Sequence, residues 1–148
     1  MHKTTVNDIL DFAIAGEKAA NQFYLELAAK MRNNAMKKVF EDFAAEERNH
    51  KEIIEGVKQG RTVEFEEVAD LKIADYTVGG EPRPDMDYQD ALILAMKKEK
   101  AAFAMYSRLA EVTQDQETRR TFLMLAQEEA RHKLRFETEY DQVILKDN

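Results

Sequence analysis

Apolar residues recur every three or four positions along four stretches of this 148-residue chain, at about residues 7–32, 35–58, 88–112 and 115–145. That spacing lays one stripe along an α-helix, so four long helices are predicted. The first stripe is Leu10, Ala13, Glu17, Ala20, Tyr24, Leu27 and Met31. The second is Met36, Phe40, Phe43, Glu47, His50, Ile54 and Val57. The third is Leu92, Ala95, Glu99, Ala102, Tyr106 and Leu109; the fourth is Phe122, Leu125, Glu129, His132 and Phe136.

Asn33-Asn34 interrupts the first two stretches, and Thr113-Gln-Asp-Gln the last two. Breaks this short fold two helices back on each other as an antiparallel hairpin. Asp87 can cap the third helix, and Thr113 or Asp115 the fourth. Between the pairs, residues 59–86 hold Gly60, Gly79, Gly80, Pro82 and Pro84 and are too long for a hairpin turn. They read as a crossover, with FEEVADLKIADY a candidate short helix inside it. The pattern predicts an all-α fold in one domain over 1–148: a four-helix bundle of hairpin 7–58, crossover 59–86 and hairpin 87–145.

The hairpins repeat each other at an offset of 82 residues. EKAA at 17–20 falls on EKAA at 99–102, Tyr24 on Tyr106 and Phe40 on Phe122. Glu46-Glu47 falls on Glu128-Glu129, and His50-Lys51 on His132-Lys133. Any two amphipathic hairpins would share leucines and alanines. They would not share glutamate, tyrosine and histidine at one unbroken offset.

The charges sit where a core should be. Each stripe is apolar except near its middle, where it carries a glutamate, or a glutamate and a histidine. Glu17 stands 16 residues before Asn33 and Glu47 stands 14 after it; Glu99 and Glu129 stand in the same relation to Asp115. At about 1.5 Å of rise per residue these carboxylates share one height above their turns. Face-to-face packing of the hairpins would then gather four glutamates and two histidines. Each ion taken out of water costs several kcal/mol, and like charges add repulsion.

Protonation leaves lone pairs to satisfy, and no stripe position is Arg or Lys. Two divalent cations would balance four carboxylates. Positions i and i+3 lie one turn apart on one face, so the carboxylate and imidazole of each Glu-x-x-His can converge. In this reading Glu47 and Glu129 bridge both metals, Glu17 closes the site beside His50, and Glu99 the site beside His132. Oxygen-rich ligation with one imidazole per metal suits iron or manganese, and zinc could occupy such a site in a purified sample.

Tyr24 and Tyr106 lie two turns after Glu17 and Glu99 and lean back toward that level. Each is either a hydrogen-bond donor to a ligand carboxylate or an ordinary core tyrosine. Glu46 and Glu128 read as a solvated face beside Arg48 and Arg131, and His2 as surface. Met31, Met36, Met96, Met105 and Met124 read as core filler.

Composition narrows the classes. Charged residues at 34% and hydrophobic ones at 44% suit a globular domain. A net charge of −7 argues against a phosphate-neutralising nucleic-acid binder. The absence of cysteine excludes disulfides, thiolate metal sites and cysteine nucleophiles, and fits a cytoplasmic setting. The longest clean apolar run, ALILAM at 91–96, does not span a membrane. The N-terminal stretch, with Asp8, Asp11 and Glu17, is a poor secretion signal.

One glutamate from each of two helices, with Glu-x-x-His from each of the other two, is the ligand pattern of ferritin-like carboxylate bundles. With Glu and Tyr seven apart twice and Glu-x-x-His twice, the sequence resembles the rubrerythrin branch of the ferritin-like di-iron carboxylate superfamily. The resemblance covers the four helices. It implies a non-haem di-iron oxidoreductase that reduces hydrogen peroxide or dioxygen in oxidative-stress defence.

Rubrerythrins usually carry a rubredoxin domain with four cysteines. Here the resemblance implies an external, rubredoxin-like electron-donor protein. They also tend to have a further glutamate one turn along the third helix, where this chain has Ala102. The site thus resembles the symmetric six-residue form of bacterioferritins, a departure that weighs against efficient peroxide chemistry. The alternatives are a bacterioferritin-like ferroxidase or iron-storage protein, lowered because no fifth helix is predicted, and a metal-free helical interaction module. A homo-oligomer is expected, as a dimer, with hairpin exchange open to it.

Overall fold

The computed structural model describes residues 6–60 and 86–143. Within them the chain forms four helices: α1 (Val6–Lys30), α2 (Asn34–Gly60), α3 (Tyr88–Val112) and α4 (Gln116–Val143). His2, the crossover after Gly60 and its candidate short helix lie outside the described residues. No helix among those described is long and apolar enough to cross a membrane. The chain divides into two compact units, one built on α1 and α2, the other on α3 and α4.

In the first unit the α1–α2 turn is fixed by Asn33. Its side chain accepts from the backbone N–H of Ala35 at 2.8 Å and, more weakly, of Met36 at 3.4 Å. Such caps satisfy donors that the first helical turn leaves open. The helices run antiparallel, because Lys58 near the end of α2 donates to Asp11 near the start of α1. Nearer the turn, Asn21 Nδ2 donates to the Ala44 carbonyl at 2.6 Å. The Tyr24 ring lies near-parallel to Phe40, with centroids 6.4 Å apart, and edge-on to Phe43 at 6.2 Å.

The second unit repeats the plan with different fastenings. Asp87 caps α3 by accepting from Asp90 N–H at 2.8 Å. Asp115 caps α4 by accepting from the Thr118 N–H at 3.0 Å and from its hydroxyl at 2.6 Å. Thr113 instead ends α3, and its carbonyl accepts from Arg119 at 2.7 Å. At the opposite end, the Tyr88 hydroxyl donates to Glu139 Oε1 at 2.9 Å and Gln89 Nε2 donates to the Tyr140 hydroxyl at 3.3 Å. Tyr106 lies near-parallel to Phe122 at 6.5 Å, the counterpart of the Tyr24–Phe40 pair.

The stripes read from the sequence are the buried faces. Every stripe residue is buried except Ala20, Met31 and Ala102, which are half-buried. Met36 and Met105 are core residues, Met31 and Met96 are half-buried, and Met124 corrects the core-filler reading because it is exposed. About 100° of turn per residue carries it off the face made by Phe122 and Leu125.

Two outcomes follow from this packing. Phe122→Ala empties a fully buried ring position and should cost about 3–5 kcal/mol in urea unfolding. Tyr88 is half-buried, and its pKa is pushed above the ordinary value by burial first, then by its hydrogen bond to Glu139 and that carboxylate's charge. A raised acid stabilises fully below the unfolded pKa of about 10 and loses that contribution as pH climbs through the folded value. Unfolding curves across alkaline pH should therefore show wild type losing stability faster than Tyr88→Phe.

Candidate metal centre

Six charged or polar side chains interrupt the core at mid-height. Glu17, Glu47 and His50 in the first unit, and Glu99, Glu129 and His132 in the second, are all between 0% and 3% exposed. The helical period explains their convergence within each hairpin. Glu47 and His50 are one turn apart on α2, and the antiparallel turn brings Glu17 level with them.

In the first hairpin, one donor atom from each of Glu17, Glu47 and His50 lies within 4.8 Å of the others. Nδ1 of His50 is 3.6 Å from Glu17 Oε2 and 3.8 Å from Glu47 Oε1. In the second hairpin, donor atoms of Glu99, Glu129 and His132 likewise lie within 4.8 Å of each other. There Nδ1 of His132 is 3.7 Å from Glu99 Oε1.

These separations discriminate between two arrangements. They exceed hydrogen-bond distance. Two donors each about 2.1 Å from one cation stand between roughly 3.0 and 4.2 Å apart, according to the coordination geometry. The observed 3.6–3.8 Å falls within that range. Nδ1 of each histidine and one oxygen of each of the four glutamates are deeply buried and outside hydrogen-bonding range, while the residues themselves have further interactions. Carboxylate oxygens and neutral imidazole nitrogens are the donors that iron and manganese accept. The residues present therefore fit a metal in each hairpin's set.

Tyr24 and Tyr106 are buried on the same helix faces as Glu17 and Glu99. Their stacking on Phe40 and Phe122 gives each donor set an aromatic wall on the side toward the turn. Glu46 and Glu128 stand off the buried stripes and are half-buried. Sequence reasoning missed one buried carboxylate, Glu139, which lies far from the centre along α4. The signal was available: Glu139 continues the stripe of His132 and Phe136 by one further turn.

The sequence profile of the rubrerythrin family matches residues 8–140. The chain belongs to the rubrerythrin family. Among solved structures, a candidate ferritin-like diiron-carboxylate protein from Thermotoga maritima is 26% identical, with a TM-score of 0.78. The match covers 97% of this chain and 98% of that one. A hypothetical protein from Pyrococcus furiosus is 27% identical, with a TM-score of 0.75, over 95% of this chain and 90% of the other. No curated protein matches the chain. This rubrerythrin-family chain thus has an all-α, ferritin-like fold, and its buried glutamate and histidine sets fit a diiron protein.

Metal binding at these sets should appear as stability. Ferrous or manganous ion at about 100 times its dissociation constant should add about 2.7 kcal/mol to unfolding for each ion bound. A chelator should remove that gain, and a Glu17→Ala/Glu99→Ala variant should show none of it by scanning calorimetry.

Proposed function

We propose that this chain is a non-haem di-iron oxidoreductase that reduces hydrogen peroxide or dioxygen in oxidative-stress defence in the cytoplasm. The observation that carries this reading is the pair of equivalent buried glutamate–histidine sets in a chain of the rubrerythrin family. Glu17, Glu47 and His50 would hold one ion, and Glu99, Glu129 and His132 the other. When bound, the iron pair supplies the two electrons that divide an oxygen–oxygen bond.

The chain's own residues set the conditions for that chemistry. Two carboxylates in each hairpin's set would balance one divalent ion, so each loaded set would be neutral inside a dry core. Nδ1 of each histidine faces the carboxylates, so Nδ1 is the donor atom and the ring proton stays on Nε2. Glutamate side chains can bind through one oxygen or both, which lets the donor set follow changes in charge. Tyr24 and Tyr106, buried on the same helix faces, would steady the carboxylates by donating hydrogen bonds to them. Phe40 and Phe122, behind those tyrosines, keep bulk water from the ligands.

These 148 residues contain no cysteine to hold an electron-transfer iron, and in this reading electrons return from an external, rubredoxin-like donor protein. The chain works as a homodimer, and its internal repeat would let two copies exchange hairpins.

A second reading, ferroxidase, is favoured by one observation. Ala102 stands one turn after Glu99 on the ligand face and offers no further carboxylate. Anaerobic loading with ferrous iron, followed by mixing with peroxide or with air, separates the two. The oxidoreductase reading expects two irons per chain and one peroxide consumed for every two irons oxidised. It also expects peroxide to react faster than air, and Glu47→Ala to slow the reaction by roughly tenfold or more. Iron taken up well beyond two per chain would favour the ferroxidase. Failure to load, or an unimpaired Glu47→Ala, contradicts both.

A further inference from the structure

The two donor sets are alike, but the charges around them are not. Over residues 6–60 the first hairpin carries eight lysines and arginines and ten acidic side chains; over 86–143 the second carries nine and eleven. Their net charge is equal, and only its placement differs. Within two turns of Glu17 and Glu47, over residues 10–24 and 40–54, the first hairpin holds three lysines or arginines and, besides those two glutamates, five acidic side chains. The equivalent residues 92–106 and 122–136 hold six lysines or arginines and, besides Glu99 and Glu129, one acidic side chain. Some of these charges are held in ion pairs: Asp11, Asp42 and Lys51 in the first hairpin, Lys133 and Arg135 in the second. Leaving them out keeps the sign, with two basic against three acidic in the first hairpin and four against one in the second.

The difference is concentrated on α3. Lys97, Lys98 and Lys100 flank Glu99, where α1 has Ala15, Gly16 and Lys18 around Glu17. Lys97 and Lys100 are exposed, and Lys98 is half-buried. Among the described residues none of the three lysines meets a carboxylate. A helix with its side chains is about 10–12 Å across, so an ammonium on its outer side stands roughly 10 Å from donors on its inner side. At that distance one unit charge weakens the binding of a divalent ion by about fourfold in water, before salt screens it. Two more lysines beside Glu99 than beside Glu17 thus amount to about tenfold at low salt. The half-buried Lys98 is screened least.

We propose that the two sets fill in order. The Glu17, Glu47 and His50 set takes a divalent cation first and holds it about tenfold more tightly. Lys97, Lys98 and Lys100 set the weaker affinity of the Glu99, Glu129 and His132 set. The proposal rests on the metal-binding reading above and adds a control to it. At limiting ferrous ion the chain holds one ion. The pair that two-electron chemistry needs assembles only when ferrous ion is plentiful.

The test is to titrate the isotope-labelled full chain with zinc ion at low salt, following the imidazole signals of His50 and His132 and measuring both affinities by calorimetry. The first equivalent should move the His50 signals and the second those of His132. The gap in affinity should shrink to about twofold near 1 M salt, where charges are screened within about 3 Å. Lys97→Gln/Lys98→Gln should close most of the gap by tightening the second set. Lys97→Arg/Lys98→Arg, which keeps the charge, should preserve it. Gly16→Lys should narrow the gap from the other side by loosening the first set, and a Cβ at that position meets nothing within 4 Å. His132 filling first, both histidines responding together, or a gap that the glutamine variant leaves intact would overturn the proposal while metal binding stands. Zinc that moves neither histidine contradicts metal binding itself.

Discussion

A carboxylate moved from water into a helical interior loses several kcal/mol of hydration unless something replaces it. Each hairpin of this chain does this twice and adds a buried imidazole. A fold stable by only about 5–15 kcal/mol does not carry such groups for packing alone. Hydrogen bonding does not cover them all, because the imidazole nitrogens stand 3.6–3.8 Å from the carboxylate oxygens. That spacing suits atoms gathered round a cation.

The rest of the hairpin architecture serves this constraint. Asparagine or aspartate caps fix where α2, α3 and α4 begin, and so fix which residues face inward. The stacked Tyr24–Phe40 and Tyr106–Phe122 pairs hold each pair of helices at one register beside the ligands. The far ends are fastened differently, by Lys58 with Asp11 in one hairpin and by Tyr88 with Glu139 in the other. The repeat is thus strictest around the donors and looser away from them, as expected if ligand geometry is the feature under constraint.

The four helices were legible because long amphipathic periods survive without alignment, and their observed ends fall within about two residues of the sequence reading. The six buried glutamates and histidines were legible because a charge in the middle of an apolar stripe violates the stripe's own rule. Met124 was misread because a methionine suits core and surface alike, and only helical phase separates them. Glu139 was missed because it sits near a helix end, where a carboxylate on the stripe looks solvated; the Tyr88 hydroxyl that meets it comes from 51 residues away.

The most direct measurement is anomalous diffraction, at the iron edge, from crystals grown with ferrous iron under anaerobic conditions. Two peaks are expected, one within bonding distance of His50 Nδ1 and one of His132 Nδ1, with carboxylate oxygens completing each. A fully loaded solution whose crystals show no peak at these residues would contradict the account. So would a glutamate set held instead by arginine, lysine or its own protons.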